Sequence, residues 1–254
     1  MKIIIAPAKK MREEIEYMSP RQQPVFFQKT RRIQKQLATL SIEEIRSMLH
    51  CSETIARQAF EMYHKKRTLK DGVPALLAYD GIQYTYMAPQ VFDDEEFSYV
   101  EEHLRILSGY YGVLKPFDEV VPYRLELDNI LPRKGFENLY EFWGKLMYQE
   151  LTKTDHELLD LASRQYSKII TRYLGEKDHY ARCFFMEEEH GEYREKGVYV
   201  KMARGEMVRY LTEIKASAIE EAKGFERLGY HFEPRLSDEK NFVFTRKTGK
   251  RNSR

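Results

Sequence analysis

The chain has 254 residues, of which 42% are hydrophobic and 32% charged, and its formal net charge is +2. That length buries a core without disulfide or metal staples, and the composition excludes a disordered chain. A charge so near zero excludes a generally basic protein, and no window approaches the ~18 consecutive apolar residues of a membrane span.

In chain order, "KIIIA" at 2–6 is apolar and β-branched and ends at Pro7, which predicts a buried first strand. Its apolar run is too short for a signal peptide, so the protein is expected in the cytoplasm. Residues 24–40 place Phe27, Ile33, Leu37 and Leu40 at helical spacing. Ser41 and Glu44 have capping-box spacing ahead of Ile42, Ile45 and Leu49, and Ser52 caps a further helix to about Lys66. These two helices lack a dense set of base-reading side chains, so they read as packed core helices rather than a helix-turn-helix. Ala75 to Tyr79 read as a strand and Asp80-Gly81 as a turn. Phe97, Val100, Leu104 and Leu107 predict a helix with acids at its start and a stop at Gly109.

Further along, a helix is predicted over 137–151, a strand at "ELLDLAS" and a helix over 164–172. "YARCFFMEE" and "YREKGVYVKMA" flank a turn and predict a hairpin, followed by a helix from about Gly205 to Lys223. "YHFEP" and "NFVFTRK" read as two last strands. Helices and strands mix without strict alternation, which predicts one compact α+β or mixed α/β domain over 1–247. The basic tail over 248–254 reads as disordered.

Several stretches carry candidate chemistry. Lys9 follows the first strand, where open α/β sheets bind ligands; the alternative is a surface lysine. Gly109 and Gly112 let the backbone approach a partner, and exposed N–H groups beside Arg105 and Lys115 can hold a phosphate, as a helix-hairpin-helix element does. The alternative is a tight turn, and Pro116 limits any second helix to a very short one. In "PYRLEL", Arg124 and Glu126 share one face, either as an ion pair or as groups that fix a substrate and move a proton. Lys201 and Arg204 sit where the pattern predicts a helix start near Gly205, an anion-binding arrangement. Arg209 lies roughly 140° round an ideal helix from Arg204.

Residues 1–35 carry nine lysines and arginines against three glutamates, and the last ten residues carry five basic residues and no acid. Such clusters are either solvated faces or a footprint for polyanions. No P-loop, dinucleotide fingerprint or nucleophile elbow occurs, so no cofactor is expected. Cys51 and Cys183 are isolated, and "EEEH" at 187–190 does not converge on one face, so no metal site is expected.

"APAK", "HLRILSGYYGVLKPFDEVVPYRLEL", "YEFWG", "DLASRQY" and "KMARGEMVR" together resemble, in order over about residues 2–246, the YaaA family of peroxide stress proteins. Ala6 and Lys10 stand where the family has serine and threonine. Ile82 and Tyr86 stand at its aspartate and second-glycine positions, and Asp160 at its asparagine. The resemblance implies a mixed α and β fold with a positively charged cleft and a helix-hairpin-helix-like element. It implies non-sequence-specific binding of duplex or branched DNA, and a role in limiting peroxide damage by keeping unincorporated iron low. On that reading Lys9, Arg105, Gly109, Gly112, Lys115, Arg124, Lys201, Arg204 and Arg209 contact the backbone, with Tyr110 or Tyr111 stacking on bases. The other reading is an enzyme acting on a nucleotide, nucleobase or DNA lesion, with Lys9 as nucleophile and Asp118 or Glu126 as acid or base. Direct iron sequestration is disfavoured by the absence of ligand spacing among seven histidines and two cysteines.

Overall fold

The first strand, Lys2–Ile5, puts Ile3, Ile4 and Ile5 at zero exposure, because it runs through the middle of a sheet covered on both faces. The structure is a computed structural model and describes residues 1–65 and 72–247. The expected disorder of the basic tail and the predicted helix end at Lys66 both lie outside the described residues.

The elements in order are β1 (Lys2–Ile5), β2 (Lys10–Met11), α1 (Phe27–Leu37), α2 (Ile42–Leu49), α3 (Glu53–His64), β3 (Val73–Pro74), α4 (Ala75–Ala78), β4 (Tyr79–Asp80), α5 (Ile82–Met87) and α6 (Asp94–His103). Then follow β5 (Leu104–Ser108), β6 (Gly112–Leu114), β7 (Glu119–Val120), α7 (Leu139–Trp143), α8 (Leu146–Leu151), β8 (Glu157–Asp160) and α9 (Arg164–Thr171). The chain ends with β9 (His179–Glu189), β10 (Glu192–Arg194), α10 (Gly197–Glu213), β11 (His231–Phe232) and β12 (Asn241–Lys247).

The main sheet has the order β11-β12-β9-β8-β1-β5-β6, with β10 paired to β9. Neighbours from β12 to β5 are parallel; β11 and β6 close the two edges antiparallel. Around it the chain forms a mixed α/β single domain, as predicted. The helix starts follow the sequence signals. Ser41 and Glu44 close a capping box, Ser52 accepts from Ile55 N, and Asp93 and Glu96 close a second box.

Four predictions are corrected. The helix expected to reach Gly109 ends at His103, and Leu104–Ser108 is β5, registered on β1 from Ile3↔Leu104 to Ile5↔Ile106. The strand expected at Ala75–Tyr79 is mostly the short helix α4. The helix over 137–151 is two, parted at Gly144, whose φ of +50° breaks the helical path. The predicted hairpin is real but short: β10 stops at Arg194, and "GVYVKMA" opens α10 rather than ending a strand. Gly205 therefore lies inside α10. The predicted helix start there does not exist, and neither does its anion site.

Candidate functional site

A cavity of about 800 Å³ opens at the carboxyl end of the central parallel strands. The segments that follow β1 (Ala6 to Lys10) and β8 (Ser163, Gln165, Tyr166) line it, together with Gly81 to Thr85, Glu126 and Asp128, and Lys201 and Arg204 of α10. This is where parallel sheets place ligands, because the strands end together and their loops splay apart.

The wall is held by non-local contacts. Tyr84 donates its hydroxyl to Ala6 O at 3.1 Å, tying α5 to the end of β1. Gly205 lets α10 lie against α5: a Cβ built there stands 2.2 Å from Gln83 O and 2.9 Å from Met87 N. Lys201 and Arg204, three residues apart, share the cavity face. Lys201 is exposed while Arg204 is 7% exposed. Arg209 turns away, as its helical angle requires, and pairs with Glu213 at 2.9 Å.

Lys9 Nζ meets Glu126 Oε2 at 2.9 Å at the cavity wall. The predicted partnership of Arg124 with Glu126 is thus replaced by one with Lys9. The alternation in "PYRLEL" does hold, with Tyr123, Leu125 and Leu127 buried and Arg124 and Glu126 half-buried. Arg124 lines a small adjoining recess that shares Lys9, Glu126 and Tyr166 with the cavity. Glu126 is set in place from two sides. Asn129 Oδ1 accepts from Glu126 N at 2.8 Å, and Asn129 Nδ2 donates to Met48 O at 3.2 Å. Gly109 supplies the other side: a Cβ there would stand 2.8 Å from the Glu126 carbonyl carbon and 2.9 Å from Leu127 N.

Of the two readings of the central glycines, the structure bears out the tight turn, set between strands rather than helices. Gly109 lies in the turn between β5 and β6 and Gly112 opens β6, with strands on both sides, so no helix-hairpin-helix forms at these glycines. Gly112 has φ +79° and packs under Phe26 and Trp143. Tyr110 and Tyr111 are buried among other tyrosines and cannot stack on a bound base. Tyr111 and Tyr110 N–H groups donate to Ser108 Oγ, so these amides serve the turn and not a phosphate. Arg105 bonds the carbonyls of Glu101 and Leu104, and Lys115 lies with it away from the cavity lining.

Asp118 is also remote from the cavity. It is buried, and accepts from Lys115 N at 2.9 Å and Gln22 Nε2 at 2.8 Å. Burial raises its pKa to about 6. The folded state then holds this proton more tightly than the unfolded chain, so its contribution to stability falls as pH rises from about 4 to about 6. Asp118→Asn is expected to gain on the parent protein by up to ~3 kcal/mol between pH 4 and pH 7. Urea unfolding of both proteins at the two pH values measures this, and a constant difference refutes it.

Sequence reasoning named Arg204 but passed over Gln83 and Tyr166. Gln83 Nε2, Tyr166 OH and Arg204 Nε are buried without a hydrogen-bond partner among the described residues, and all three residues line the cavity. Buried polar groups are almost always paired, so an unpaired guanidinium at the cavity lining marks a place for an anionic ligand. Burial disfavours the charge of Arg204, and among the described residues it forms no ion pair. Nearby, Asp160 accepts from Ala162 N at 2.7 Å and Tyr180 OH at 2.6 Å, and burial raises its pKa. Within "EEEH", Glu187 is a buried partner of Arg246. Among the described residues no group of three or more metal-ligating side chains occurs, and no helix is long and apolar enough to cross a membrane.

Relatives match nearly the whole chain. A protein of Desulfitobacterium hafniense (strain Y51), named a UPF0246 protein, is 50% identical over 246 residues, 97% of this chain and 98% of its own. UPF0246 proteins of Lachnoclostridium phytofermentans and Limosilactobacillus reuteri (strain DSM 20016) are 43% and 40% identical, each across 96% of this chain and 96% and 98% of their own. The family described as Peroxide stress protein YaaA matches residues 1–236. The chain belongs to the YaaA family of peroxide stress proteins.

Proposed function

We propose that this protein serves the cellular response to hydrogen peroxide by binding DNA at the cavity, and that it thereby limits oxidative damage and keeps unincorporated intracellular iron low. The family supports the stress role. The observation that carries the ligand is the guanidinium of Arg204, which lines the cavity and has no ion-pair partner among the described residues. Its volume of about 800 Å³ suits a single nucleotide unit and not a duplex. In this reading one unit enters beside Lys201, while Lys9 and Lys10 at the exposed rim meet the backbone of the strand. No base-reading array is involved, so binding is independent of sequence.

Fluorescence anisotropy with duplex, single-stranded and branched DNA at several salt concentrations tests this. Binding is expected to weaken steeply with salt, and Lys201→Ala is expected to reduce the slope by about one. Salt-insensitive binding, or none, overturns the proposal.

The ion pair at the wall favours a second reading, an enzyme acting on a nucleotide or DNA lesion in the same cavity. Lys9 Nζ and Glu126 Oε2, 2.9 Å apart, form a nucleophile and a proton-transfer group within reach of each other. Lys9→Ala with unchanged DNA affinity and lost conversion of a damaged oligonucleotide supports it. Intact product formation by that variant removes Lys9 as nucleophile.

A further inference from the structure

We propose that the inner end of the cavity is a subsite for a phosphate monoester, so that the nucleotide bound there is a strand end or a free mononucleotide rather than an internal unit of a strand. This rests on the reading that the cavity takes a nucleotide.

The first argument is depth. Lys9 has 61% of its side chain open, whereas Arg204, on the same cavity, is 7% exposed. A phosphodiester inside a strand carries a substituent on each side and must run along an open surface. A terminal phosphate carries one, and can enter end-on to reach a buried guanidinium.

The second argument is charge. A buried, unpaired guanidinium is costly, and an anion relieves that cost. Arg204 is drawn through space to Glu195 and Asp160, but neither stands within ion-pair distance. Asp160 already accepts from Ala162 N and Tyr180 OH. Of the carboxylates lining the cavity, Glu126 is engaged by Lys9 and Asp128 by Gln165, and Asp80 is exposed at the rim. The inner wall thus presents cation without matching anion.

The third argument is the number of donors. α9 begins at this wall, and its N-cap Ser163 lines the cavity without capping the helix through its side chain. The N–H groups of Arg164 and Gln165 have no acceptor within the helix, and the helix dipole favours an anion there. With Arg204 and Lys201 on the same cavity, the donors outnumber the two oxygens of a carboxylate and match the three free oxygens of a phosphate monoester.

Binding is measured for a single-stranded oligonucleotide with a 5′-phosphate, a 3′-phosphate or hydroxyls at both ends, and for a circular strand of the same sequence. A 5′-nucleoside monophosphate, its nucleoside and inorganic phosphate are run as competitors. A phosphate-ended strand or the monophosphate is expected to bind at least roughly 10-fold more tightly than its hydroxyl counterpart, with inorganic phosphate competing. The gap is expected to close in Lys201→Ala, an exposed change that leaves the fold intact, and in Arg204→Lys, which keeps charge but loses the fork. Thermal melting of both variants guards against misfolding. Equal affinity for phosphate-ended, hydroxyl-ended and circular strands overturns the subsite and leaves the DNA reading standing. Tight monophosphate binding without strand binding supports the subsite and overturns the DNA reading. An end preference that survives in both variants places the phosphate elsewhere and overturns the subsite.

Discussion

Gly205→Ala is expected to destabilise the protein by at least about 3 kcal/mol and to lower its melting temperature by roughly 6–12 °C. The added methyl would stand 2.2 Å from Gln83 O, a backbone atom of α5 that no rotamer change can clear. Either α10 or α5 must shift, and the two carry Arg204 and Gln83 into the same cavity. Loss of ligand binding is therefore expected to accompany the loss of stability. Gly197→Ala provides the control, because nothing lies within 4 Å of a Cβ there at the start of the same helix. Alanine should leave the protein neutral or stabilise it by up to ~1 kcal/mol. Calorimetric melting of both variants decides the matter: equal melting temperatures would refute close α5–α10 packing.

Trp143→Ala is expected to cost about 3–5 kcal/mol. Trp143 has zero exposure and packs on Phe26 and Phe142 at ring separations of 5.6 and 5.2 Å. Its Nε1 donates to Gly109 O at 2.8 Å, so truncation also leaves a buried carbonyl unpaired. Trp143→Phe keeps most of the packing and should cost roughly 1–2 kcal/mol. The effect should reach the cavity, because the hairpin turn that Trp143 holds is the one that abuts Glu126. Denaturant unfolding followed by circular dichroism measures the loss, since this tryptophan is the only one in the chain. A cost for alanine no larger than that for phenylalanine would refute the argument.

The accuracy of sequence reasoning followed how local each feature is. Ser41–Glu44 declared itself because a cap is satisfied within four residues, and the acids at 93–96 did so because the dipole favours them at a helix start. β1 was readable from "III" before a proline. Leu104 to Ser108 misled because a short apolar run fits helix and strand equally, and the choice came from pairing with β1, a hundred residues away. "GVYVKMA" misled in the opposite sense. Its β-branched and aromatic residues favour a strand, yet it forms the first turns of α10, whose flank is buried against α5 and the sheet.

The candidate site divides the same way. Lys9, Glu126, Lys201 and Arg204 were each visible as chemistry next to a strand end or turn, and the motifs that hold them carried the family resemblance. Residues alone thus determined a chain with its own core, most of its helix starts, and the side chains able to meet an anion. Only the tertiary structure decided which of these meet. It paired Glu126 with Lys9 instead of Arg124, sent Arg105, Lys115 and Asp118 away from the cavity, and buried Arg204 at the cavity lining. The physical reason is that partners and burial depend on strand order and helix contact between segments far apart in sequence, which no local pattern encodes.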